Sequence, residues 1–512
     1  MLEQLSDKYA MIDIGSNTMR LVIYEHDSRK KFKQLENVKV VARLRNYLNE
    51  EQQLSEEGIN VLIDTLCSFQ IITRHHSVQH VKCVATATVR QADNREEICR
   101  LVQKLTDFEM TILSEYEEAF YGFLAVVNST DIPEGITIDI GGGSTEITYF
   151  LDRQLIEYHS FPFGALSLQL QYVKEDTPTE EERKAIKQFV QSQFETIPWL
   201  HGKQVPIVAI GGSARNMVQL HQSFIHYPLA GVHQYEMMLS DIQLLKKQLS
   251  GMNYQELQRL EGLSKDRADT ILPAMEVFES LCELTEAPRF ILSRKGLREG
   301  LMFEELIKPL GIGLYPNVLE ESFQELVMDF EIDTEHVTQV TKIASLLFQH
   351  FRMHLDFPMG DKDLSLLKRA AQVFHLGEYI DSESSSQHTF YLLANRTIDG
   401  IRHKDRLKLA LLASYKGKSA FRQYMEPFKD WLTKEEQKTL RFLGAVLKFA
   451  SSLNATKRNI VKHLDIDANS TGFTIKILCC SDYRAEEYQA EKQKKHLEKV
   501  TKQPIVLQFQ KL

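Results

Sequence analysis

Two stretches decide the fold: Asp13-Ile14-Gly15-Ser16-Asn17-Thr18 and, later in the chain, Asp139-Ile140-Gly141-Gly142-Gly143-Ser144-Thr145. Each follows an apolar run (Ala10-Met11-Ile12; Ile136-Thr137-Ile138) and precedes another, so each reads as strand, tight turn, strand. Such an internal repeat implies a duplicated unit, with related loops from both halves lining one cleft. Glycines let main-chain N–H groups approach a phosphate with no Cβ in the way. Ser16, Thr18, Ser144 and Thr145 add hydroxyl donors. A strand-end carboxylate beside such loops can hold Mg²⁺ directly or through water. A single acid–glycine turn is common; two at the same place in repeated strand pairs point to phosphate. The candidate phosphate groups are therefore Gly15, Ser16, Asn17, Thr18, Gly141, Gly142, Gly143, Ser144 and Thr145.

Outward from these loops, Tyr9–Ile14 and Met19–Tyr24 read as the first strand pair, and residues 38–44 as a further strand. A helix spans about 55–75, and the β-branched run Val81–Thr88 reads as another strand. Helices over 95–105 and 115–127 flank a short strand at 110–113. The pattern restarts with strands at 135–140, 146–151 and 155–159, then 206–210, which ends at Gly211-Gly212-Ser213 before a helix over 214–222. That helix start is a second candidate phosphate site, since helix N-termini favour anions. A late strand at 289–292 leads to Gly296 and a helix. Beyond a Pro/Gly boundary, Pro309-Leu310-Gly311-Ile312-Gly313, helical patterns dominate to about residue 453. The last fifty residues return to strand, strand, charged helix and strand.

Composition bounds the answer. At 512 residues the chain exceeds one core, and 43% hydrophobic with 26% charged residues is ordinary globular usage. The first ten residues carry acids and no apolar run, unlike a secretory signal, and no stretch reaches the roughly 18 apolar residues of a membrane span. Six cysteines without CxxC spacing read as reduced thiols in a cytoplasmic protein, the Cys479-Cys480 pair contributing to a core. A net charge of −9 argues against nucleic acid. Yet Arg396 to Arg422 holds eight Lys/Arg against Asp399 and Asp405, a local +6.

The motifs together resemble the exopolyphosphatase / guanosine pentaphosphate phosphohydrolase family, within the superfamily of sugar kinases, actin and heat-shock ATPases. The resemblance rests on the two turns, Ala85-Thr86-Ala87-Thr88-Val89-Arg90, Leu113-Ser114-Glu115-Tyr116-Glu117-Glu118-Ala119, Glu146, and Gly296-Leu297-Arg298-Glu299-Gly300-Leu301. It covers residues 9 to 303 in order and the helical tail more loosely. One departure is Glu115, where the family usually has glycine. The resemblance implies a duplicated ribonuclease-H-like (actin-like ATPase) α/β module, an all-helical HD-like domain and a small α/β C-terminal domain. The boundaries are 1–128, 129–312, 313–458 and 459–512. It implies Glu118 as the base that activates water, Mg²⁺ held by Asp139 and Glu146 with Asp13 as counterpart, and a homodimer. Arg90 becomes a candidate phosphate ligand by a forked contact, beside Gly211, Gly212 and Ser213. Ser114-x-x-Glu117 is a capping box, which accounts for Glu117 without catalysis. Arg298 and Glu299 read as an intrahelical surface pair and stay outside the catalytic set.

Other motifs fail. Gly417-Lys418-Ser419 would need glycine at Leu412 to be a P-loop, and between His350 and His354 Phe351 stands where a zincin has glutamate. His375-Leu376 replaces the His-Asp pair that a working HD-like centre needs. The +6 stretch instead suggests a groove for a polyanion over Arg402, Lys404, Arg406, Lys416 and Lys418. The expected activity is Mg²⁺-dependent release of terminal phosphate from inorganic polyphosphate. Guanosine pentaphosphate is the alternative substrate. An ATP-dependent kinase and a non-catalytic polyphosphate or alarmone sensor are the rivals from other classes.

Overall fold

The computed structural model describes residues 7–26, 32–308, 311, 313–355, 359–469 and 472–512. Residues 309, 310 and 312 of the expected Pro/Gly boundary lie outside this set, as do residues 1–6 of the stretch compared with a secretory signal. The chain forms two compact units: Met1–Tyr227 with Val232–Val318, and Pro228–Gly231 with Leu319–Leu512.

In the first unit the duplication is explicit. Strands β1 (Asp7–Ile14), β2 (Thr18–His26), β3 (Phe32–Val41), β4 (His80–Ala85) and β5 (Met110–Ile112) form a sheet ordered β3-β2-β1-β4-β5. Strands β6 (Glu134–Ile140), β7 (Thr145–Leu151), β8 (Gln154–Phe161), β9 (Ile207–Ile210), β10 (Tyr235–Met237) and β11 (Phe290–Leu292) form a second, ordered β10-β11-β9-β6-β7-β8. Three antiparallel strands followed by two parallel ones recur in both, and β10 adds an antiparallel edge to the second. The repeated turns imply this duplication, and the halves are the ribonuclease-H-like pair that the family resemblance implies.

Helices supply the crossovers that the parallel pairs require. The first half carries α1 (Glu56–His75), α2 (Ala87–Gln91), α3 (Arg95–Leu105) and α4 (Glu115–Val127). The second carries α5 (Ala165–Tyr172), α6 (Glu180–Phe194), α7 (Gly211–Phe224), α8 (Leu239–Leu249), α9 (Tyr254–Leu257), α10 (Ile271–Thr285) and α11 (Leu297–Met302). The strand expected over 81–88 stops at Ala85. Thr86 N–H still donates to the Ile14 carbonyl (3.1 Å), but its own carbonyl accepts from Arg90 N–H (3.0 Å), and the chain turns into α2. Tertiary pairing overrides the β-branched preference of Thr88 and Val89, which are buried in that helix. Helix α7 likewise begins at Gly211, earlier than residue 214.

The halves interlock. Helix α4 of the first half lies against β6, β7 and β8 of the second, burying Phe123, Leu124, Val126 and Val127 among Phe150, Val208, Ile210 and Ile291. Helix α11 of the second half returns to pack on α4 and on β1. Each large apolar side chain fully buried here contributes roughly 1.5–3 kcal/mol. The α4–α11 contact is backbone to backbone: a Cβ on Gly300 would lie 1.9 Å from the Tyr121 carbonyl oxygen.

The second unit is helical from α12 (Val318–Asp329) through α13 (Thr334–His354), α14 (Asp361–Gln372), α15 (Ser385–Asn395), α16 (His403–Ala413), α17 (Lys418–Met425) and α18 (Lys434–Ser452). It ends in a three-stranded sheet of β12 (Val461–Asn469), β13 (Gly472–Cys479) and β14 (Ile505–Lys511). β13 and β14 are parallel, with α19 (Arg484–Thr501) as the crossover. Of the expected Cys479-Cys480 core pair only Cys479 is buried, because adjacent residues at a strand end face opposite sides. No helix among the described residues is long and apolar enough to cross a membrane.

Gly300→Ala is expected to cost about 1–3 kcal/mol in urea denaturation through the forced separation of α4 and α11. Gly313→Ala, with nothing within 4 Å of its Cβ position, serves as the control, expected within about 0.5 kcal/mol of the parent. Equal effects would contradict the close packing.

Candidate active site

The two turns are geometrically equivalent. Gly15 N–H donates to the Thr18 carbonyl (3.1 Å) and Gly141 N–H to that of Ser144 (2.9 Å), so each turn is closed by the same hydrogen bond. They touch: a Cβ on Gly142 would sit 2.9 Å from the Ser16 Cβ and 3.2 Å from the Asn17 nitrogen. The first turn of α5 donates its amides to the Gly141 and Gly142 carbonyls (2.9–3.1 Å), which takes up two oxygens that would repel an anion. Arg43 and Arg45 N–H groups do the same for Asn17 and Ser16 (2.9 and 3.1 Å).

Between the turns lies a cavity of about 340 Å³. Of the phosphate candidates, Gly15, Ser16, Asn17, Thr18, Gly141, Gly142, Ser144, Gly211 and Gly212 line it; Gly143, Thr145, Ser213 and Arg90 do not. Thr145 Oγ1 donates to the Phe163 carbonyl (2.7 Å), and Ser213 Oγ accepts from Arg267 Nη1 (3.1 Å). Gly211 has φ +83°, and its missing Cβ makes room for the Asp139 carboxylate, whose Oδ1 is 2.4 Å from where that atom would be. A residue with a side chain there would be strained and would displace Asp139.

Glu118 reaches the wall from the first turn of α4. That helix is started by the expected capping box: Ser114 N–H donates to Glu117 Oε2 (2.8 Å) and Glu117 N–H to Ser114 Oγ (3.2 Å). Arg90, read from the sequence as a phosphate ligand, instead donates from Nη1 to Glu118 Oε2 (2.8 Å) and to the Leu113 carbonyl (3.0 Å). Behind it stands Glu146, 3% exposed, accepting from Ser160 Oγ (3.1 Å) and 4.0 Å from Arg90 Nη2. Glu146 is therefore not on the cleft wall, whereas Asp13 and Asp139 are.

Burial and mutual repulsion hold these acids above the usual carboxylate range. Burial pushes Glu118 up to about 7 despite Arg90, with Asp139 and Asp13 adding to the rise. Asp139 is pushed to about 6 by burial and by Asp13, Asp13 is raised by burial, and Glu146 is raised by burial and by Glu118. Opposite them stand cations that the sequence reading did not select: Arg20, Arg215, Arg267, Arg294 and Arg298, with Lys39. They crowd one another, so that burial and then Arg298 and Arg215 bring Arg20 down to about 10. Arg298 and Glu299, read as a surface pair, are cleft residues; Glu299 also accepts the Gly296 N–H at the head of α11 (2.9 Å). Arg20 had a sequence signal. It pairs with Asp13 across β1 and β2 as Glu146 pairs with Asp139 across β6 and β7. The others come from separate elements and had none. The rim is bridged by Lys39 to Asp266 and Arg43 to Asp269, both 2.8 Å.

In the second unit the expected polyanion groove is not one surface. Arg406 is fully buried against Gly231 and donates to the Arg396 carbonyl (3.2 Å), and Lys404 pairs with Glu436 (3.2 Å). Lys416 and Lys418 are exposed and Arg402 half-buried.

Two ribonuclease-H-like halves with facing turns over such a cleft define an actin-like phosphate-handling fold. The chain belongs to the Ppx/GppA phosphatase family, whose model matches residues 22–308, with the family's domain III matching residues 318–498. Members are hydrolases of phosphoanhydride bonds. The chain is 24% identical over 486 residues to a guanosine-5′-triphosphate,3′-diphosphate pyrophosphatase of Aliivibrio fischeri, covering 90% of this chain and 92% of that one. A solved family member from Aquifex aeolicus is 28% identical with a TM-score of 0.52, covering 59% of this chain and 98% of its own. The fold is shared with an exopolyphosphatase from Cytophaga hutchinsonii (21% identity, TM-score 0.54, 59% and 98% covered).

Arg90→Met should leave Glu118 buried without its partner and raise its folded-state pKa further. The folded state then binds a proton that the unfolded state releases, so stability falls as pH rises above the unfolded value of about 4.3. The stability lost to the substitution, by urea denaturation, should be larger by about 1–2 kcal/mol near pH 8.5 than near pH 5.5. A loss independent of pH would mean that Arg90 does not compensate Glu118.

Proposed function

We propose that this protein releases terminal phosphate by hydrolysing the end anhydride bond of inorganic polyphosphate. The observation that carries the reading is Glu118, a carboxylate of raised pKa on the wall of a cleft lined by the two glycine turns. A base poised near neutrality can take a proton from water as water attacks phosphorus. In this reading the terminal phosphoryl group sits between the 15–18 and 141–144 turns. Water attacks it in line, Glu118 accepts the proton, and the anhydride P–O bond breaks. The bond electrons pass to the bridging oxygen of the shortened chain, which leaves. Arg20, Arg215, Arg267 and Arg298 stabilise charge on that oxygen and on the phosphoryl group under attack. Arg90 acts as a positioning residue for Glu118, with Glu146 behind it.

Mg²⁺ belongs to this proposal. Asp13 and Asp139, at equivalent strand ends and both raised by burial, are the side chains fitted to hold it. No three His, Cys, Asp or Glu groups converge on a metal position among the described residues. The ion would complete its shell with water and phosphate oxygens, as Mg²⁺ commonly does. When bound it neutralises charge on those oxygens.

Polyphosphate is put first because six cationic side chains line one cleft, which matches a ligand charged along its length. Guanosine pentaphosphate is the second reading, favoured by the name of the Aliivibrio relative and its near full-length match. The family resemblance supports a homodimer, an HD-like character for the helical region and the four-part division at 128, 312 and 458, and the cysteine usage supports a cytoplasmic location.

Glu118→Gln should lower kcat for phosphate release by roughly 10²–10⁴ with little change in fold. Arg298→Ala should lower kcat as well as raise KM, because its charge acts on the groups that gain charge as the bond breaks. The assay compares long-chain polyphosphate and guanosine pentaphosphate in parallel. Release from the nucleotide alone would favour the second reading; near-normal turnover of the Gln variant would move the base elsewhere.

A further inference from the structure

The helical unit contains its own cavity, of about 380 Å³, built from none of the cleft's residues. One wall is cationic. Lys448, half-buried on α18, donates from Nζ to the Lys416 carbonyl (2.5 Å) and to His496 Nε2 (3.1 Å). An ammonium has three N–H donors, so one is left for the cavity that Lys448 lines. Lys416 lines the same wall, and Lys492 and Lys495 stand close enough to repel Lys448. None of these four lysines has an ion-pair partner among the described residues. Burial, followed by Lys495, Lys416 and Lys492, brings Lys448 down to about 8. Burial, followed by Lys448 and Lys495, lowers His496 to about 4.

Facing this wall is the start of α15. Ser385 and Ser386 line the cavity there, and Ser384, the N-cap residue, makes no side-chain cap, so the positive end of an eleven-residue helix is left uncapped by its own N-cap. The acids in the lining are Glu378, whose carboxylate is taken by His375 Nδ1 (2.7 Å), and Glu383. Asp381 accepts the Glu383 and Ser384 N–H groups just before the helix (2.9 and 3.0 Å). Lysines without ion-pair partners and the first amides of α15 border the cavity, a combination that favours an anion.

We propose that this cavity is a second anion site, taking a compact, multiply charged phosphate such as pyrophosphate. The shared chemistry is a phosphate held by the Lys448 and Lys416 ammonium groups and by the amides of α15. Its source is either free pyrophosphate or the end of a longer phosphate chain. The site does not depend on the cleft's assigned reaction.

The test is calorimetric titration of the full chain with pyrophosphate in EDTA, so that no hydrolysis intervenes. The parent should bind at the cleft and at this cavity. Lys448→Met and, separately, the exposed Lys416→Glu should each remove one binding class or weaken it on the order of ten- to a hundred-fold. Lys448→Arg should retain it. Lys416→Glu decides the matter if Lys448→Met fails to fold. A parallel titration with long-chain polyphosphate distinguishes the sources. Affinity reduced by Lys416→Glu identifies a chain end, and affinity unchanged identifies the free anion. Pyrophosphate stoichiometry and affinity unaltered in a folded Lys416→Glu protein would overturn the proposal.

Discussion

The contact between two tight turns, Gly142 against Ser16 and Asn17, is the constraint on which the rest of the first unit depends. It brings the ends of β1 and β6 together, and with them Asp13 and Asp139. Burial there is what chiefly holds Asp13, Asp139 and Glu118 above the usual carboxylate range, and Asp13 adds to the rise at Asp139 and Glu118. The approach is kept by structure on both sides. The interlocked α4 and α11 tie the halves from behind, and the Lys39–Asp266 and Arg43–Asp269 pairs bridge the rim.

Duplication followed by divergence accounts for the charge pattern. The position facing the strand-end acid is Arg20 in one half and Glu146 in the other. The first half thus turns a cation toward the cleft. The second keeps an acid behind it, where Arg90 stands between Glu146 and Glu118. The arginine is only half-satisfied: Arg90 Nε and Nη2 are buried without hydrogen-bond partners. Leaving such donors unmet costs stability, and near a cleft of this kind that cost is of the sort functional sites carry.

What was legible in the sequence was local. The two turns announce themselves through the acid, the glycines and the flanking apolar runs, so the duplication follows from residues 10–24 and 136–151. The ribonuclease-H-like fold follows from the family resemblance that residues 85–90, 113–119 and 296–301 complete. The capping box was legible for the same reason, as Ser114 and Glu117 lie one helical turn apart. The arginine wall was not. Arg215, Arg267, Arg294 and Arg298 come from different segments, and nothing in the neighbours of Arg298 separates a cleft residue from a surface one. Misreadings have the same origin. Arg406 looked like surface charge in a basic stretch, yet α16 turns it inward against Gly231. Thr86 to Val89 have strand propensity, but the last β1 carbonyl and the start of α2 determine their conformation.

The central claim is that one cleft between the two turns holds the phosphoryl group that is lost. The most direct measurement is a crystal structure of the Glu118→Gln protein with Mg²⁺ and a short polyphosphate. The account predicts the terminal phosphorus between residues 15–18 and 141–144, beside the side chain at 118, with the rest of the chain along Arg20, Arg267 and Arg298. A terminal phosphoryl group bound away from both turns, with the cleft free of ligand, would contradict it.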